Sequence, residues 1–192
     1  MSNLGNLLDQ IREYYLTRFA AELNELEKEP GARLIVEPAL LTASGNIATD
    51  GPLGLAIRQD LVVLKHERIT SSITCDTETM LVFDALRLRW NDALDVTIAP
   101  FQWNYARLTV RPALAISALA PLKHWFETWF KEPDSPREPP FWGVVHFMSD
   151  PKTTESGTEL TIDLGSAPTE SIADLLDACQ ATGAKSVSLG KT

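Results

Sequence analysis

Apolar residues first recur along the chain at three- and four-residue steps. Leu4, Leu7, Leu8, Ile11, Tyr15, Phe19, Leu23 and Leu26 share one face, with Asp9, Arg12, Glu13, Glu22, Glu25 and Lys28 on the others, which predicts one amphipathic helix over 3–28. Ser2 or Asn3 is placed to cap it, and Pro30-Gly31 ends it. Residues 33–37 (RLIVE) form a short strand candidate, and 42–54, rich in Gly, Ser and Asn, reads as a long surface loop with a turn at Asp50-Gly51.

From 55 to 110 the period shifts towards two. Strands are predicted at 61–67, 69–75, 80–90, 94–99 and 101–110, with a hairpin turn at Asn91-Asp92. Leu86, Leu88 and Trp90 alternate with Arg87 and Arg89, and Leu94, Val96 and Ile98 with Asp95 and Thr97, so each strand has one buried and one wet face. A second helix is predicted over 117–131, where Pro121 fits only in the first turn because it lacks an N–H. Four prolines crowd 133–140. Strands at 141–148 and 159–164, a helix over 170–181 between Thr169 and Gly183, and a strand at 185–189 complete the chain. Strand, helix and strand in that spacing fit a parallel crossover.

The expected fold class is therefore α+β: a mainly antiparallel β-meander packed by helices, with a C-terminal β-β-α-β segment. We expect a single domain over 1–192, with sub-structure at 1–132 and 140–192 joined by the proline-rich 133–140.

Charge narrows the function classes. Seventeen Lys and Arg against 26 Asp and Glu give a net −9, and no basic cluster offsets it, which argues against nucleic acid as a partner. No apolar run spans a bilayer and no basic leader with a cleavage site opens the chain, so the expected location is cytoplasmic, with no membrane partner. Cys75 and Cys179, 104 positions apart, form no CxxC pair and read as buried thiols.

Familiar motifs are incomplete. The GKT at 190–192 has Lys185 where a phosphate loop needs glycine and no helix after it, and Gly51-x-x-Gly54 lacks the dinucleotide fingerprint. His66, His124 and His146 show no metal-ligand spacing. We expect no cofactor and no metal. No catalytic residue is assigned. The weak candidates are Cys75 with His66 or His146 as base, and the adjacent Asp76 would raise the thiol pKa and oppose its reactivity.

Two features stand above background. Eleven of fifteen aromatic residues, including all five tryptophans, fall between Trp90 and Phe147. Trp125, Phe126, Trp129 and Phe130 occupy one helix, where successive residues are about 100° apart, so they cannot share one narrow face. Secondly, 150–182 carries seven acidic residues against Lys152 alone, and Glu170, Asp174 and Asp177 make a carboxylate stripe on the last helix.

Together these suggest a non-catalytic acidic protein-binding protein, of the size and charge of chaperones and immunity proteins that mask their partners. Its binding residues would be Trp103, Trp125, Trp129, Trp142, Glu170, Asp174 and Asp177, its partner a protein, and the acidic stripe suits a basic one. The alternatives are a small-ligand protein or Cys/His enzyme with a pocket between helix 117–131 and the sheet, and a structural homodimer.

Overall fold

A computed structural model describes residues 2–75 and 80–190. The first helix, α1 (Ser2–Leu26), buries Leu8, Ile11, Tyr15, Phe19 and Leu23, the stripe its periodicity announces. Two small sheets, a main sheet and two further helices follow among the described residues. β1 (Ala32–Val36) pairs antiparallel with β4 (Leu61–Lys65), which pairs with β5 (Arg68–Ile73). Between them in sequence, β2 (Thr49–Asp50) and β3 (Leu55–Ala56) make a short hairpin closed by residues 51–54, at the turn expected there.

The main sheet takes its strands from both halves of the chain. Its elements are β6 (Leu86–Trp90), β7 (Leu94–Ile98), β8 (Ala106–Arg111), β9 (Phe147–Met148), β10 (Lys152–Thr154), β11 (Gly157–Asp163) and β12 (Ser186–Leu189). They lie in the order β10-β11-β8-β12-β7-β6, with β9 also on β11. Asn91 and Asp92 have positive φ in the tight β6–β7 turn, as the hairpin requires.

The fold is α+β with mainly antiparallel pairing and a C-terminal β-β-α-β segment, as the pattern predicts. One pair is parallel. β12 inserts between β7 and β8, parallel to the first and antiparallel to the second. Both β11 and β12 oppose β8, so the crossover through α3 (Glu170–Ala181) joins two parallel strands with β8 between them. Within 61–110, β4–β5 and β6–β7 pair antiparallel, but the strands are divided between two sheets and β12 separates β7 from β8, because apolar alternation specifies a face and leaves the sheet open.

A 3-10 turn (Ile116–Leu119) leads into α2 (Ala120–Phe130), which packs on α3, with Pro121 in its first turn as required. All four of its neighbouring aromatics are buried because the helix is covered on more than one side. Trp125 and Trp129 donate to α3 (Ser171 O, 2.9 Å; Asp174 Oδ2, 3.1 Å), while the Phe130 ring lies under Arg58.

Three predicted strands are only partly strand. Within 101–110 only Ala106–Arg111 is strand; residues 102–105 close a tight turn by Tyr105 N–H to Gln102 O, and Trp103 is buried. Within 141–148 only Phe147–Met148 pairs as a strand. The rest threads between elements. Val145 N–H bonds Trp129 O, His146 N–H bonds Asp163 O, and the Gly143 and Val144 N–H groups bond Ser166 Oγ. A run enclosed on every side is apolar without alternation, which a strand also shows when both its faces are buried. Of the predicted strand at 80–90, Leu86–Trp90 is strand, and Asp76 lies outside the described residues.

One apolar cluster runs from Leu8 of α1 to Leu189 of β12, with Trp103, Tyr15, Phe19 and Phe126 its largest fully enclosed side chains. Among the described residues no helix is long and apolar enough to cross a membrane.

Candidate functional site

The sequence places an acidic residue next to several apolar runs: Glu37 after RLIV, Asp60 before LVVL, Asp163 inside LTIDL. The fold brings these carboxylates to one enclosed imidazole. His146 Nε2 lies 2.7 Å from Glu37 Oε1, and Nδ1 lies 2.8 Å from Asp60 Oδ1 and 3.9 Å from Asp163 Oδ2. The His146 and Glu37 side chains have no exposed surface, and Asp163 keeps 14%.

Each carboxylate is held by further donors. Tyr15 of α1 gives its hydroxyl proton to Asp60 Oδ1 (2.8 Å), and Cys75 N–H donates to Asp60 Oδ2. Trp142 N–H donates to Glu37 Oε2 (2.6 Å), Ser166 N–H to Glu37 Oε1 (3.1 Å) and Gly165 N–H to Asp163 Oδ1 (2.9 Å). Glu37 itself has φ +53, a left-handed backbone that costs a residue with a Cβ roughly 1–2 kcal/mol and places it directly after β1. Gly165 at φ +52 lets the ring sit close: a Cβ there would come within 2.3 Å of His146 Cδ2 and 2.5 Å of Val144 O.

A buried guanidinium adjoins this cluster. Arg58 donates to Phe130 O through Nε (3.0 Å) and Nη2 (2.9 Å), and through Nη1 to Glu37 O and the Glu132 carboxylate (2.7 Å). Its charge ties the end of α2 to β1 and is met by Glu132, not by the carboxylates around the imidazole.

Electrostatics follow from this geometry. Burial alone would drive His146 towards neutrality, but Asp60 and Glu37 at its two nitrogens, with Asp163 behind them, raise its pKa to about 10. Burial also opposes the charge on Asp60, yet the His146 imidazole outweighs it and holds that carboxyl below its ordinary value. Asp163 moves upward, through burial, with His146 opposing and the Asp60 charge adding to the rise. Burial and then the Asp163 and Asp60 charges push the Tyr15 phenol well above its usual range.

The other candidate residues distribute as follows. Cys75 and His146 meet through Asp60, whereas His66 sits in the exposed β4–β5 turn at φ +51. Burial, then the Asp60 charge, pushes the Cys75 thiol far up, and burial takes Cys179 on α3 to about 12. Neither is a thiolate at neutral pH. Trp103 is enclosed, its indole N–H on Gly165 O (3.0 Å), and half-buried Trp142 contributes its backbone to Glu37.

Trp125, Trp129, Asp174 and Asp177 do come together. They line a groove of about 370 Å³ between α2 and α3, along with His124, Pro121 and Thr128. Asp177 Oδ1 also accepts the Trp90 indole N–H (2.6 Å) and an Asn91 amide N–H (2.9 Å). Glu170 lines a different hollow, with Leu4, Leu8 and Trp90. Arg137 of the proline-rich segment stacks on the Trp129 ring, 4.9 Å from its centroid.

Sequence reasoning missed Glu37, Asp60, Asp163, Tyr15 and Arg58. A charged residue abutting an apolar run was the available signal. Comparison of the chain with family models, curated proteins and solved structures finds no match.

Proposed function

We propose that this chain is a non-catalytic binding protein that holds and masks a basic segment of a protein partner in the groove between α2 and α3. The observation that carries the reading is the lining: two tryptophan side chains, the exposed carboxylates of Asp174 and Asp177, and no lysine or arginine among the lining residues. Lysine and arginine pair an apolar stem with a cationic head, which suits aromatic walls under an acidic rim. The Trp129 ring already takes one guanidinium, that of Arg137. A net charge of −9 adds long-range attraction for such a segment. Support for a non-catalytic role comes from the buried thiols, both with raised pKa, and from the complete enclosure of His146.

Titration of the protein with a fluorescently labelled arginine-rich peptide, followed by anisotropy at low and physiological salt, tests this reading. Binding should weaken about tenfold or more when Asp174→Lys and Asp177→Lys are combined, since two attractive charges become repulsive. Glu170→Lys, outside the groove, should change it far less. Equal binding of an acidic peptide, or indifference to the double reversal, overturns the reading.

A further inference from the structure

The His146 cluster carries an inference separate from the groove. Three of its ligand atoms, one each from Asp60, His146 and Asp163, lie within 4.8 Å of one another. His146 Nδ1 is fully buried and has no hydrogen bond of accepted geometry: Asp60 Oδ1 faces it at 2.8 Å as an ionic partner, and Asp163 Oδ2 at 3.9 Å is too distant to accept. A buried ring nitrogen left in this way is uncommon, because the missing bond is costly.

Charge adds a second, independent argument. Glu37, Asp60 and Asp163 surround one imidazole, so carboxyl groups outnumber cationic side chains in the enclosed group, while Arg58 is engaged by Glu132 and by carbonyl oxygens. Buried charge of that kind calls for a counter-charge.

The surroundings also have the form of a ligand-orienting shell. Glu37 Oε1 fixes Nε2 at 2.7 Å and leaves Nδ1 as the inward donor; Tyr15 and the Cys75 N–H hold Asp60, and the Gly165 N–H holds Asp163. Carboxylate–histidine pairs that set the tautomer in this way are the usual support of a histidine ligand.

We propose that Asp60, His146 Nδ1 and Asp163 bind one divalent first-row transition-metal ion, zinc or manganese in class. An ion about 2.1 Å from each donor accommodates donor separations up to about 4.2 Å; both distances from Nδ1 fall inside that limit, and the two carboxylate oxygens, within 4.8 Å of each other, would have to approach by no more than about 0.6 Å. One imidazole with two carboxylates selects this class over calcium, which prefers oxygen donors alone. The bound ion supplies positive charge, takes up the ring nitrogen and ties the chain just before β4 and just before β9 to the end of β11. Asp163, the member with exposed surface, is the entry side. The ligands were invisible as a motif because 60, 146 and 163 come from three separate segments.

The test uses the full chain stripped with a chelator, then titrated with zinc and, separately, manganese, with bound ion measured by mass spectrometry and calorimetry. One ion per chain and a rise in melting temperature are expected. Asp163→Asn should weaken binding by about 10- to 100-fold or more. His66→Gln with His124→Gln, which removes the exposed imidazoles, should leave it intact. Should Asp163→Asn fail to fold, the ring nitrogen resonances of His146 in the unaltered protein decide: they shift with stoichiometric metal if it is a ligand. No stoichiometric ion, an unmoved His146 resonance, or binding that survives Asp163→Asn but not the surface histidine pair overturns the proposal, the last by placing the ion on the surface.

Discussion

Two regions of this molecule set carboxylates against nitrogen donors, with opposite consequences. Around His146, Glu37 and Asp60 are sealed from solvent, and each oxygen meets a donor or the imidazole. Between α2 and α3, Asp174 and Asp177 are exposed and each accepts an indole N–H. The atoms are alike. The difference is water: an exposed carboxylate that loses its partner is rehydrated, whereas an enclosed one keeps its desolvation cost. Acidic residues therefore serve as framework in the first region and as an available surface in the second.

Removing the imidazole is the severest way to break this comparison. His146→Ala leaves Glu37 and Asp60 buried and unpaired, and should destabilise the fold by about 3–5 kcal/mol, the cost typical of a broken buried ion pair. Urea unfolding followed by tryptophan fluorescence measures it. A loss below about 1 kcal/mol would mean that the cluster is solvated and that its distinction from the groove is false.

Protonation separates the regions more gently. In chelator-treated protein, the pKa of His146 is raised from 6.5 to about 10. The folded state then holds a proton that the unfolded chain gives up, so this contribution is complete below 6.5 and is lost as pH rises through about 10. Melting temperature should fall steadily between pH 7 and about 8.5, and His146→Gln should flatten that slope. The window stops short of 9.0, the ordinary thiol value, above which the buried Cys75 and Cys179 add a loss of the same sign. Asp163, raised from 3.8 to about 7, adds a loss of the same sign that reaches into the lower part of this window, so the slope above about pH 8 is the one that reads His146. A rise in stability across the window would contradict the charged imidazole.

How legible were these regions? The helices were readable because their apolar stripes are long and punctuated: Glu170–Ala181 follows Thr169 and stops before Gly183, within the expected bounds. So were the β6–β7 hairpin and the parallel relation of β11 and β12. The insertion of β12 between β7 and β8 was not, since apolar alternation marks a strand's buried face and does not name its neighbours. Asp174 and Asp177 were chosen for their helical spacing and Trp125 and Trp129 for the aromatic crowding of α2; spacing sets neighbours on one helix, and the packing of α2 on α3 brings the two pairs together. Glu37, Asp60, His146 and Asp163 meet only through tertiary contacts, so no local period could bring them together. Among these only His146 was singled out, and for another chemistry.

The smallest expected effect closes the comparison from the groove side. Trp90→Phe keeps an aromatic ring at the half-buried end of β6 but deletes the N–H that bonds Asp177 Oδ1 at 2.6 Å. Asp177 is exposed and retains the Asn91 amide at 2.9 Å, so water can take the vacated position. The loss should be about 0.5–1 kcal/mol, the net worth of one hydrogen bond in contact with solvent, although the pair is shorter than any contact to His146. If the groove takes a basic segment, the freed oxygen should leave arginine-rich peptide binding unchanged or modestly tighter. A stability loss beyond about 2 kcal/mol, read by the same urea unfolding, would place Asp177 with Asp60 as framework, and the carboxylates of the last helix would cease to be a surface for a partner.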